Sequence, residues 1–149
     1  FWVKTAYRIP TGKFADTESF GSQETAANTP ITRIAVNSLI TAPASSSEVV
    51  RGGPVKVRGI AWDGGQGLAR VEISLDRGGT WREAKLGANL GPYSLRPWSL
   101  TLLAPKQLGP LSVWARATSS TGATQPLDAI PNPAGYHHNR VQVLDRVVI

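Results

Sequence analysis

The stretch that decides the fold is residues 55–81, VKVRGIAWDGGQGLARVEISLDRGGTW. Val55 and Val57 alternate with charged residues in its first part, and Val71 and Ile73 alternate with polar residues in its second part. A hydrophobic period of two is typical of strands with one buried face. The DGG and RGG triplets that follow these runs are turn signals. The stretch therefore predicts two strands, each ended by a tight turn.

Turn signals recur at short spacing on both sides of this stretch, with strand-like runs between them. The predicted strands are Ile34–Ile40, Val55–Trp62, Arg70–Asp76, Trp81–Lys85, Trp98–Leu103, Leu111–Thr118 and Arg140–Val148. About seven strands without a helical pattern predict an all-β, immunoglobulin-like β-sandwich. Trp62 or Trp114 is expected to fill the centre of its core.

The composition agrees with many short elements joined by turns. The 149 residues include 15 Gly and 11 Pro, and no apolar run approaches the length of a membrane span. With no Cys, the chain has no disulfide and no thiolate ligand or nucleophile. It also has no Met, even at position 1, so we expect it to be a fragment of a longer protein.

The polar stretch 11–30 shows little periodicity and predicts an arm or linker rather than part of a compact core. We therefore expect a boundary between residues 1–30 and a sandwich domain of residues 31–149. The formal net charge is +6, but the basic residues are separated along the chain by apolar and Gly residues. Without a contiguous basic run, nucleic acid is not expected as a partner, and neither is a membrane.

One turn carries a recognisable motif, S-x-D-x-G-x-T-W, the pattern of the Asp-box hairpin of sialidase propellers. It comprises Ser74, Asp76, Gly78, Thr80 and Trp81, with Gly79 as a second glycine of the turn. The Asp76 carboxylate is expected to accept hydrogen bonds from turn backbone N–H groups, and one of the glycines is expected to adopt a positive φ. Because sialidases need several copies and the chain has one, we interpret the motif as a structural turn.

The chain's own residues give no catalytic constellation. His137 and His138 are adjacent, so in a strand they would point to opposite faces and could not hold one metal ion together. No Ser, His and Asp set has a supporting local signature. We predict no catalytic residue and no metal ligand within this chain.

Taken in order, several pieces resemble the C-terminal dimerisation domain of sulfite oxidases and related molybdopterin oxidoreductases over residues 31–149. The pieces are VKVRGIAWDGG at 55–65, VEISLD at 71–76, GTW at 79–81, Trp98, Arg116–Thr118, Gln125–Pro126, NPAGY at 132–136 and Asn139–Val141. The opening FWVKTAYRIP is similar to the end of the catalytic domain of bacterial sulfite dehydrogenases.

This resemblance implies an immunoglobulin-like (E-set) domain that pairs two subunits and contacts its own catalytic domain, which is absent here. It implies that molybdenum-molybdopterin is held by that absent domain, that this fragment binds no cofactor, and that the fragment alone is inactive. The parent enzyme would oxidise sulfite to sulfate in the periplasm and pass electrons to a cytochrome c. Animal and plant members carry an anion-binding Arg where this chain has Ala134.

Lys4 and Arg8 match a stretch of the catalytic domain in that family, so they are predicted to lie near an anionic substrate or cofactor, as are His137 and His138. An alternative use of the first residues is to pack on the sandwich through Phe1, Trp2 and Tyr7. An alternative function for the whole chain is a stand-alone sandwich that binds carbohydrate or another surface ligand through exposed aromatic residues such as Tyr93, Trp98 and Tyr136.

Overall fold

The structure of the chain is a computed structural model that describes residues 2–10, 28–44, 47–129 and 135–149. These residues form two compact units. The first unit comprises Phe1–Ala35 and Pro126–Arg140, and the second comprises Val36–Gln125 and Val141–Ile149. The boundary predicted at residue 30 stays a prediction.

The first unit contains a short helix and a pair of short strands. Helix α1 spans Trp2–Thr5, strand β1 spans Arg8–Pro10 and strand β2 spans Asn28–Pro30. The two strands pair antiparallel, and the Ile31 N–H extends the pairing by donating to the Tyr7 carbonyl at 2.9 Å. Among the residues described, no helix has the length and apolar character needed to cross a membrane.

The second unit is a β-sandwich, which confirms the predicted fold class. Its strands are β3 (Asn37–Ala42), β4 (Pro54–Trp62), β5 (Leu68–Ser74), β6 (Arg82–Glu83), β7 (Lys85–Leu86), β8 (Arg96–Leu103), β9 (Gly109–Ser119) and β10 (Gln142–Val148). All pairings between these strands are antiparallel. One sheet has the order β3-β4-β8-β7 and the other has the order β10-β9-β5-β6.

The alternation in the deciding stretch is realised as predicted. Along β4, Val55, Val57, Gly59 and Ala61 are buried, while the residues between them are exposed or half-buried. The inner faces of both sheets meet in one apolar core. Its fully buried members on the central strands include Val57, Val71, Ile73, Val113, Ala115 and Ala117.

The tryptophan that fills the core is Trp98, so the expectation of Trp62 or Trp114 is wrong. Trp98 is 2% exposed, whereas the other two are half-buried. Trp98 lies opposite Gly59 on the neighbouring strand, and a Cβ built on Gly59 would collide with the Trp98 ring and the Leu39 carbonyl. The indole therefore occupies the space that a side chain at Gly59 would take.

The single strand predicted over Trp81–Lys85 is two short strands in different sheets. Strand β6 pairs with β5, and β7 pairs with β8. Between them Ala84 is buried and its N–H donates to the Val71 carbonyl at 2.8 Å. The chain therefore crosses from one sheet to the other at Ala84, and a simple period-two pattern cannot reveal such a crossing.

Candidate functional site

The turn between β5 and β6 is organised by two side chains, Ser74 and Asp76. The Ser74 hydroxyl donates to Asp76 Oδ1 at 2.7 Å and accepts from the Gly78 N–H at 2.8 Å. The Thr80 N–H donates to Asp76 Oδ1 at 2.8 Å, and the Thr80 hydroxyl donates to Asp76 Oδ2 at 2.7 Å. Together these bonds hold both ends of the turn to one carboxylate.

Positive φ values occur at two positions of this turn. Gly78 has φ 87°, and Arg77, which precedes it, has φ 57°. Gly79, the other candidate, is close to the Asp76 carboxylate, because a Cβ added there would lie 3.2 Å from Asp76 Oδ2. Gly78 permits the left-handed turn, and Gly79 makes room for the carboxylate.

Hydrogen bonds lower the pKa of Asp76 from its ordinary 3.8 to about 2. The Ser74 hydroxyl has the largest effect, followed by the backbone N–H and the hydroxyl of Thr80. Bonds that require the ionised form favour it. A carboxylate held in this way is a fixed hydrogen-bond acceptor at neutral pH, not a proton donor.

A charged cluster next to this turn was not predicted from the sequence. Arg116 of β9 donates through Nε to Glu72 of β5 at 2.9 Å, and Arg70 lies 3.2 Å from the same carboxylate oxygen. The Arg116 guanidinium also lies 4.0 Å from the centre of the Trp81 ring.

Glu72 and Arg116 are 44 residues apart in the sequence, and they meet because β5 and β9 pair with these two residues in register. Burial by itself would raise the pKa of Glu72, but the hydrogen bond and charge of Arg116, followed by those of Arg70, lower it below its ordinary value. The pair is therefore ionised at neutral pH. Period-two patterns do not give the pairing of distant strands, so no local signal could have found it.

In the first unit, Arg8 is held against backbone oxygens. Its Nη2 donates to the Asn28 carbonyl at 2.7 Å, and its Nη1 donates to the Val3 carbonyl at 3.2 Å. Lys4 is exposed on α1. The guanidinium thus fastens β2 to the helix, and the predicted proximity of Lys4 and Arg8 to an anion stays a prediction.

His137 lies in a turn and His138 directly follows that turn, so neither is in a strand, and both are exposed. His137 has a positive φ of 55°. Next to them, the Tyr136 ring packs on Tyr7, with 5.5 Å between the ring centres. This ring pair joins the stretch containing the histidines to the start of the chain. The predicted role of the histidines near an anion stays a prediction, and Ala134 lies outside the described residues.

No cluster of three or more His, Asp or Glu side chains suited to a metal ion occurs within the described ranges. The sequence also supplies no Cys. The described residues therefore do not fit a molybdenum site.

The described residues of the second unit form at least two cavities. The larger, of about 560 Å³, is a groove on the sheet β3-β4-β8-β7. Its lining includes Thr41, Arg58, Ile60, Lys85, Leu86, Pro97 and Ser99. The smaller, of about 340 Å³, lies among the loops that follow β4 and β7. The Tyr93 ring packs on Gly65 there, where a Cβ would lie 2.6 Å from the ring.

The three aromatic residues invoked for carbohydrate binding are not all exposed. Tyr93 is 71% exposed, but Trp98 is buried in the core, so its expected exposure is wrong. Tyr136 is half-buried and packs on Tyr7.

Comparison with known proteins identifies the fold and the family. The solved sulfane dehydrogenase SoxCD from Paracoccus pantotrophus superposes with a TM-score of 0.72 at 24% identity, covering 99% of this chain and 37% of that chain. Mitochondrial sulfite oxidases are similar in sequence. The Mus musculus protein is 32% identical and the Homo sapiens protein 35% identical, each over 106 residues.

Each of these two alignments covers 68% of this chain and 19% of the sulfite oxidase, so the chain spans about a fifth of the length of these relatives. They lend no support to the carbohydrate-binding alternative. The sequence model described as "Mo-co oxidoreductase dimerisation domain" matches residues 28–144. Because that match covers most of the chain, the protein belongs to the Mo-co oxidoreductase dimerisation domain family.

Proposed function

We propose that this chain is the dimerisation module of a molybdenum-cofactor enzyme that oxidises sulfite to sulfate, and that two copies of the chain form a homodimer. The observation that carries the proposal is the family match over residues 28–144. The similarity to mitochondrial sulfite oxidases supports sulfite as the substrate. The sandwich supplies a rigid scaffold for pairing, because its two sheets close over one core.

The catalytic domain would lie in a longer form of the protein and would hold the molybdenum-molybdopterin. A cytochrome c is the proposed electron acceptor and the periplasm the proposed location, both from the resemblance of GYHHN at 135–139 to the bacterial branch. Ala134, which stands where animal and plant members have an anion-binding Arg, supports an anion site built mainly by the other domain.

The test compares the 149-residue chain with a longer protein that also contains the segment encoded upstream. We expect the longer protein to contain molybdenum and to reduce cytochrome c when sulfite is added. We expect the chain alone to contain no molybdenum and to show no such activity. Stoichiometric molybdenum in the chain alone, or a longer protein that does not reduce cytochrome c when sulfite is added, would contradict the proposal.

A further inference from the structure

The sheet β3-β4-β8-β7, called the basic sheet from here on, carries positive charge without compensation. Its strands contain four basic residues, Lys56, Arg58, Lys85 and Arg96, and no Asp or Glu. Both ion pairs found among the described residues lie in the other sheet. Of the four, Arg96 is used internally, since its Nε donates to the Gly87 carbonyl at 3.0 Å.

Strand pairing aligns two of these cations across the outer face. Ser99 of β8 lies opposite Arg58 on one side and opposite Lys85 on the other. We call these three residues the cationic row. Neighbouring strands are about 4.8 Å apart, which places the two basic residues about 10 Å from each other with the Ser99 hydroxyl between them. Lys56 lies two residues before Arg58 and so shares its face.

An apolar row adjoins the cationic row. Leu39, Ile60 and Pro97 lie opposite one another on β3, β4 and β8. Leu39 is 41% exposed, and Pro97 is also exposed. Each row is two residues from the next along β4, a distance of about 7 Å. The groove of about 560 Å³ is lined by all three members of the cationic row and by Ile60 and Pro97.

We propose that this groove binds an acidic segment of a partner protein in which carboxylate side chains stand next to an apolar one. A carboxylate would lie between Arg58 and Lys85 and accept a hydrogen bond from Ser99, while the apolar neighbour packs on Ile60 and Pro97. Charge-assisted bonds of this kind are stronger than neutral ones. This inference does not rest on the proposed homodimer or on the sulfite reaction.

The charge pattern disfavours other occupants of the groove. A second copy related by a two-fold axis would place the same basic face against itself, and like charges across an interface are unfavourable. Nucleic acid requires cations that follow a phosphate backbone, whereas here an apolar row directly follows the cationic row. An acidic and partly apolar protein segment matches both rows.

The probe is a short synthetic peptide, Gly-Asp-Glu-Leu-Asp-Glu-Leu-Gly, titrated into the whole isotope-labelled chain while amide NMR shifts are followed. We expect shifts centred on Arg58, Lys85 and Ser99 and weaker binding as salt is raised. The double variant Arg58→Gln/Lys85→Gln should bind about ten-fold more weakly. The control Arg51→Gln/Lys106→Gln removes the same charge from two exposed residues outside the groove and should change affinity less than about two-fold.

Four results would overturn the inference. The first two are an equal loss of affinity in the control variant and shifts that map outside the groove. The others are displacement of the peptide by a short oligothymidine of the same charge at equal concentration and binding of a matched peptide with Lys in place of the acidic residues. Unchanged thermal midpoints of both double variants show that the comparison is between folded proteins, and the light-scattering mass reports separately on pairing.

Discussion

The two sheets of the sandwich share one core but differ on their outer faces. On the sheet β10-β9-β5-β6, called the mixed-charge sheet here, Glu72 is bonded to Arg116 and lies near Arg70, and Arg116 stacks on Trp81. On the basic sheet, Arg58 and Lys85 have no carboxylate partner among the described residues. On one face Glu72 and Arg116 satisfy each other's charge, and on the other face Arg58 and Lys85 are left for a partner. Strands with the same period-two alternation can therefore carry internally paired charges on one sheet and charges without a carboxylate partner on the other.

The largest expected effect contrasts Trp98 of the basic sheet with Trp81, which precedes β6 of the mixed-charge sheet. Trp98→Ala empties the centre of the core and should lower the free energy of unfolding by about 4 kcal/mol. Trp81→Ala removes a half-buried ring from an outer face and should cost about 2 kcal/mol, because less apolar area is lost. Urea denaturation of both variants checks the order. Equal losses would show that Trp98 is not the central core residue.

A glycine on the basic sheet sharpens the same point. Gly59→Ala places a methyl group where the Trp98 ring and the Leu39 carbonyl already lie, and overpacking of this kind should cost about 2 kcal/mol. Ser99→Ala on the neighbouring strand is the control and should change the stability by less than about 0.5 kcal/mol. A harmless Gly59→Ala would mean that the indole can move aside.

The charges of the two faces should respond differently to neutralisation. Glu72→Gln leaves Arg116 and Arg70 without their carboxylate and should lower stability by about 1 kcal/mol, since Glu72 is 14% exposed and hydrogen-bonded. Lys85→Gln on the basic sheet should leave stability unchanged or raise it slightly, because it removes an unpaired charge. The two variants are compared by thermal unfolding at neutral pH. A destabilising Lys85→Gln would reveal an internal partner for this cation.

The smallest effect concerns pH and the turn of the mixed-charge sheet. Because the folded pKa of Asp76 is about 2 and its ordinary value is 3.8, the ionised form stabilises the fold above about pH 4. That stabilisation is lost as the pH falls towards 2. Asp76→Asn should therefore lower the thermal midpoint by a few degrees at pH 7 and converge with the unchanged protein near pH 2. Glu48→Gln, at an exposed position outside the turn, is the control. A gap that persists at pH 2 would contradict the assignment.

Most of the strands and the turn could be predicted from the sequence, because both depend on local patterns. Val55 and Val57 display the period of β4 directly, and the spacing of Ser74, Asp76 and Thr80 matches the hydrogen bonds of the turn. Contacts that depend on the order of the strands in a sheet could not be predicted. The pairing of Glu72 with Arg116 arises only when β5 and β9 become neighbours.

The cationic row could not be predicted either, because strand order and not a basic run in the sequence brings its residues together. Arg58 and Lys85 are 27 positions apart by their numbers, and they flank Ser99 only after β4, β8 and β7 assemble. The choice of Trp98 over Trp62 and Trp114 likewise depends on the facing Gly59, which belongs to another strand. Periodicity assigns a residue to a face, but the register between strands decides what it meets there.

The central claim is that the chain pairs with a second copy while its basic sheet stays available to another partner. Sedimentation velocity at micromolar concentration, with and without the acidic peptide, tests it most directly. We expect a species of about twice the 15.9 kDa of one chain, unchanged in oligomeric state when the peptide binds. A monomer at every concentration would contradict the pairing, and a dimer that the peptide dissociates would show that the basic sheet is itself the dimer contact.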